Sequence, residues 1–106
     1  MSNKYNSLYE WLKSNVQYTE NPAIIVGVGT YTSSLDTLYG NYQKYCLDNN
    51  LPKIGLANFT TLILEYFNEK NLPVELIIQY NRKFIRRLIL INSTIFSSFY
   101  NKGFFD

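Results

Sequence analysis

Three stripes of apolar residues at helical spacing, followed by two β-branched runs that meet at a polar turn, predict an α+β fold with a three-helix core and a C-terminal β-hairpin. Charge adds a third observation. All three arginines of the 106-residue chain fall within Arg82-Lys83-Phe84-Ile85-Arg86-Arg87, at the expected hairpin turn and on its second strand.

The first stripe is Tyr5, Leu8/Tyr9, Leu12 and Val16. Ser7-Leu8-Tyr9-Glu10 reads as a capping box, so a helix is expected over about 5–18, with Asn21-Pro22 to end it. Ala23 to Thr30 is β-branched and punctuated by Gly27 and Gly29, which fits a short strand or connector. Gly27-Val28-Gly29 lacks the further glycine and the Lys-Ser/Thr of a phosphate loop.

A second start signal is Ser33-Ser34-Leu35-Asp36. Leu35, Leu38/Tyr39, Tyr42 and Tyr45/Cys46 carry its stripe over about 34–48, until the turn-rich Asp48-Asn49-Asn50-Leu51-Pro52. The third helix runs through Leu56, Phe59, Leu62/Ile63 and Tyr66/Phe67 and ends before Pro73. Its expected solvent face is Ala57, Asn58, Thr60, Thr61 and Glu65, with Lys53 just ahead of it.

Val74 to Tyr80 and Phe84 to Ile91 read as strands joined by an Asn81-Arg82-Lys83 turn. Ile77, Tyr80, Phe84, Leu88 and Ile91 also keep helical spacing, so one continuous basic helix is the competing reading; the density of β-branched residues favours the hairpin. Residues 1–92 are thus expected to form one domain packed around Leu12, Leu38, Tyr42, Phe59 and Leu62, and 93–106 a short helix or tail.

Helix, short strand, helix, helix and hairpin is the order of a winged helix-turn-helix, in which the third helix enters the major groove and the wing touches backbone or minor groove. Leu38-Tyr39-Gly40-Asn41-Tyr42-Gln43-Lys44-Tyr45-Cys46, Phe59 with Leu62 to Leu64, and Arg82 to Leu88 together resemble the C-terminal winged-helix domain of phage and plasmid primase-helicases of the poxviral type. The resemblance covers about residues 8–92 and implies an accessory binding module in DNA replication, without the family's ATPase and primase modules. The chain departs from the family at Arg87, where its wings carry glycine, and at Gly55-Leu56-Ala57, where its third helix starts with basic residues.

Composition narrows the function classes. With 46% apolar residues and no run of about eighteen of them, a soluble, intracellular globular domain is expected. The chain has no histidine and only Cys46, so His- and Cys-based metal sites, disulfides and Ser-His or Cys-His catalysis cannot be assembled within it. Neither enzyme activity nor a cofactor is expected. Thirteen asparagines with abundant Ile, Lys, Tyr and Phe point to an AT-rich coding sequence of the kind found in many plasmids, phages, organelles and low-GC bacteria, so aromatic content by itself is weak evidence of function.

Residues 1–75 carry five lysines against seven acids, whereas 76–105 carry five cations and no acid. Such a cationic end suits an anionic partner, DNA first; the resemblance implies replication proteins as further partners. A solvated basic edge that keeps a hairpin soluble is the plainer reading. The candidate nucleic-acid contacts are Lys53, Asn58 and Thr61 at the third helix, and Tyr80, Arg82, Lys83, Arg86 and Arg87 on the wing, with Phe84 a further aromatic beside the turn. Arg86 and Arg87 should face opposite ways along one strand, and Arg86 is expected on the side of the tip. The alternative function is a winged-helix protein-interaction or dimerisation module, favoured by the absence of any cation on the third-helix face.

Overall fold

The computed structural model describes residues 4–29 and 37–91. These form a mixed α+β fold of three helices and two small antiparallel sheets. Helix α1 spans Lys4–Asn15 and buries Leu8, Trp11 and Leu12, an i, i+3, i+4 set on one face. Ser7 lies inside this helix and is buried, so the expected capping box does not form. The helix also ends earlier than Asn21. Val16 leaves it to open strand β1, Val16–Tyr18, which pairs with β5, Leu88–Leu90. Long-range pairing of a β-branched residue overrides the helical stripe there.

Strand β2, Ile25–Gly27, pairs with β4, Arg82–Arg86, and β4 pairs on its other side with β3, Glu75–Gln79. Residues 74–91 are therefore strands and not one helix. Their turn is Tyr80-Asn81, so Arg82 and Lys83 belong to β4 instead of the expected loop. The second run is also divided, because the chain bends at Arg87 between β4 and β5.

Helix α2, Leu38–Asp48, is capped by Thr37, whose Oγ1 accepts from the Gly40 amide at 3.1 Å. The start expected near 34 thus falls at 38; residues 33–36 lie outside the described residues, as does the segment 93–106. Helix α3, Leu56–Glu69, presents Phe59, Ile63 and Phe67 to the core. Leu62, expected in the core, flanks that line and is half-buried. Thr60, expected in solvent, is buried with its hydroxyl donating to the Leu56 carbonyl at 2.9 Å.

The centre is aromatic. Phe59 packs 4.9 Å from Tyr42, 5.0 Å from Tyr39 and 5.7 Å from Trp11, all between ring centres. Trp11 satisfies its indole N–H on Asn41 Oδ1 at 2.8 Å. Between α2 and α3 the buried Ile54 is held by two tyrosines: Tyr39 donates to its carbonyl at 2.8 Å, and its amide donates to the Tyr42 hydroxyl at 3.0 Å. Among the described residues no helix is long and apolar enough to cross a membrane.

Phe59 is fully buried, so Phe59→Ala should cost about 3–5 kcal/mol, read from urea or thermal unfolding.

Burial raises the Tyr42 and Tyr39 hydroxyls above the ordinary 10.0 and the Cys46 thiol above 9.0. The folded state keeps these protons while the unfolded chain releases them, so the stabilisation is complete below the ordinary values and lost as pH rises toward the folded ones. The urea midpoint should fall progressively above about pH 9. Tyr42→Phe should remove much of the fall above pH 10, while lowering stability at every pH because the Ile54 amide loses its acceptor.

Candidate functional site

The β3–β4 register closes at Gln79 opposite Arg82, leaving Tyr80 and Asn81 as a two-residue turn. Both have positive φ, 52° and 61°, the signature of a type I′ turn whose twist matches the strands. Asparagine tolerates that conformation readily. Tyrosine does not, and the left-handed region costs such a residue about 1–2 kcal/mol. Tyr80 is 95% exposed, so no burial offsets the strain.

Alternation along β4 assigns the cations to faces. Ile85 is buried, which puts Lys83 on the core-facing side near the tip and Arg82, Phe84 and Arg86 on the outer side. Across the outer face Phe84 lies opposite Ile77 of β3 and Gly27 of β2, and Arg86 lies opposite Glu75 and Ile25. Arg82 and Lys83 are exposed. Arg86 shares the face of Arg82 and not that of Lys83, and it is not at the expected place by the tip: it stands about 13 Å further along the strand, half-buried, with a buried Nε that has no hydrogen-bond partner among the described residues. Among the described residues the one ion pair is Lys44–Asp48 at 2.7 Å; Glu75 is the carboxylate across the strand from Arg86 without closing an ion pair, and Arg82 and Lys83 face Gln79 and Ile78.

Arg87 departs from the group. Its φ is 77°, its amide donates to the Ile24 carbonyl at 2.7 Å, and its carbonyl accepts from the Thr19 amide at 2.9 Å. Its Nη1 points to the Pro73 carbonyl at 3.4 Å and its Nε is buried. This residue joins the two sheets, and its backbone occupies a conformation that suits glycine.

Phe84 is half-buried, and a Cβ on Gly27 would lie 3.8 Å from its ring, so that ring is packed across the sheet and not free at the tip. Asn58 and Thr61 are exposed on α3 with Ala57 and Glu65; the Thr61 hydroxyl donates to the Ala57 carbonyl at 3.2 Å. Lys53 is exposed in the turn before that helix. The expected residues thus divide into a neutral group on α3 and a cationic group on the hairpin.

Two features escape the sequence reading. Ile78, beside Lys83 in the register, is 65% exposed and extends the tip with an aliphatic side chain. A shallow groove of about 530 Å³ lies between α1 and α3, where Tyr9 stacks on Tyr66 at 5.5 Å and Lys70 Nζ sits 4.9 Å above the Tyr66 ring. Lys13, Glu65 and Glu69 complete its lining and balance its charge.

Comparison of the chain with protein-family models, curated proteins and solved structures gives no match in any of the three.

If Arg87 serves the sheet junction through its backbone, Arg87→Gly should melt no lower than the parent chain, since relief of the positive φ offsets the loss of the Pro73 contact. A differential scanning calorimetry trace that shifts down by several degrees would instead assign the stabilisation to the guanidinium.

Proposed function

We propose that this chain is a winged-helix nucleic-acid-binding module, with the β3–β4 hairpin as the wing and α3 in the position of the recognition helix. The element order supports the reading, as does the antiparallel pairing of β2 with β4, which braces the wing against the strand between α1 and α2. The observation that carries it is the cationic hairpin. Arg82 and Lys83 stand exposed at the tip without a carboxylate partner among the described residues, and Arg86 extends the same strand.

Such charges attract phosphates and release condensed counterions when they bind, a sequence-independent contribution that positions the protein on the strand. The face of α3 offers Asn58 and Thr61 as hydrogen-bonding groups without a cation, so the wing supplies the electrostatic part of binding. The resemblance of Leu38 to Cys46 and of Arg82 to Leu88 to the C-terminal domain of phage and plasmid primase-helicases supports an accessory place in DNA replication.

One observation favours a second reading, a protein-docking or dimerisation module. Leu56 at the start of α3 is 40% exposed, and the exposed Ala57, Asn58 and Thr61 that follow it on the helix include no cation.

The Arg82→Ala, Lys83→Ala double variant decides between them. If each side chain holds one phosphate, the slope of log affinity against log salt should fall by about 1.4–1.8 with little change in sequence preference. Its thermal melt should stay close to that of the parent, because both positions are exposed. Unaltered affinity and slope on single- and double-stranded DNA would favour the docking module.

A further inference from the structure

We propose that Tyr80 is a base-stacking tip that directs the wing to unpaired nucleotides, an inference that rests on the nucleic-acid reading above. Three observations meet at this residue. Its φ of 52° places a bulky aromatic where asparagine or glycine would sit without strain. Its 95% exposure means that neither burial nor core packing offsets that strain. Its two neighbours in β4, Arg82 and Lys83, are exposed cations.

A strained conformation is retained only where the surrounding structure over-determines it, and here five register pairs between β3 and β4 fix the turn. The pairing of β2 along the other edge of β4 stiffens the base of the hairpin. The ring is therefore presented in a defined place with little freedom left to lose on binding, which is what makes an aromatic anchor effective.

The chemistry of the tip selects the ligand. A flat ring stacks on the face of any nucleobase, and cations one and two positions past the turn can meet the phosphates on either side of that base. Inside a duplex the base faces are covered by their neighbours, so a ring on a projecting turn meets an open face in a single strand. The exposed Ile78 on β3 adds apolar contact for a sugar or base edge. One aliphatic and one aromatic side chain bury too little area for a membrane anchor, which needs a broad apolar face.

The test uses the full 106-residue chain, a short labelled oligo(dT) and a duplex of the same length, with Tyr80→Gly and Tyr80→Trp as variants. Tyr80→Gly should weaken oligo(dT) binding roughly 5- to 150-fold, the range expected for loss of one stacked base, while duplex affinity and both salt slopes hold. Tyr80→Trp should bind oligo(dT) at least as well as the parent. Because glycine relieves the positive φ, Tyr80→Gly should also melt no lower than the parent.

Unchanged oligo(dT) affinity in Tyr80→Gly, equal weakening on both DNA forms, or a lowered melting temperature overturns the stacking tip. In each of these cases the module reading stands if the Arg82→Ala, Lys83→Ala variant still flattens the salt dependence. Failure of the parent chain to bind either DNA, or binding to anionic phosphatidylserine vesicles in place of DNA, overturns both.

Discussion

The grip of two tyrosines on Ile54 is the constraint on which the helical half of the fold depends. Ile54 is buried between α2 and α3, outside any helix or strand, so its N–H and C=O must find partners away from water. Tyr39 and Tyr42, three residues apart on α2, supply one hydroxyl as donor and one as acceptor. Leaving either group unpaired would cost about 1–3 kcal/mol. Once Ile54 is fixed, Gly55 begins α3 without help from a side-chain cap, and Phe59 is carried into the space between the same two tyrosine rings and Trp11. One pair of side chains thus sets both the backbone of the turn and the walls of the core.

A second junction orders the strands. Arg87 accepts from Thr19 and donates to Ile24, so the segment between α1 and β2 is tied at two points to the bend between β4 and β5. The bend lets one continuous stretch of chain serve two sheets: Ile85 is buried from the three-stranded sheet, Leu88 and Leu90 from the two-stranded one. Because β4 is the middle strand, its tip projects from a base paired on both sides. The positive φ at Arg87 belongs to the fold, whereas that at Tyr80 lies at the far end of the hairpin, away from any core contact.

The helical stripes are legible in the sequence because burial at a period of 3.6 residues leaves a local trace, and Phe59, Tyr42 and Leu12 lie where that trace puts them. The hairpin is legible because β-branched residues are dense on both sides of a polar turn. Boundaries are less so. Val16 continues the apolar stripe of α1 yet pairs with Leu90, a partner 74 positions away that no local pattern announces. The turn moves to Tyr80-Asn81 for a related reason: the register with β3 recruits Arg82 and Lys83 into the ladder, and two residues remain to close it. The cationic patch is visible at once since its members are sequence neighbours. The backbone strain at Tyr80 and Arg87 is not, because the exact β3–β4 register imposes φ at the first and hydrogen bonds to the distant Thr19 and Ile24 impose it at the second.

The tyrosines show how residue type and role separate. Tyr39 and Tyr42 are buried with their hydroxyls committed to Ile54, and burial holds both in the neutral form. Tyr9 and Tyr66 cover one another across α1 and α3, half in solvent. Tyr18 lies over Phe67. Each of these rings has an apolar surface or a polar partner that accounts for its presence, even in a chain whose composition is rich in aromatics. Tyr80 has neither, and its backbone strain adds to the imbalance. Composition bias can place a tyrosine at a turn by chance, but the strand that leaves this turn opens with the only Arg-Lys pair in the chain, within the longest stretch free of acids. Among the described residues, strain without packing and charge without an ion-pair partner thus coincide at a single projecting point. A ligand with a flat face and an adjacent negative charge would cover the ring and balance the cations.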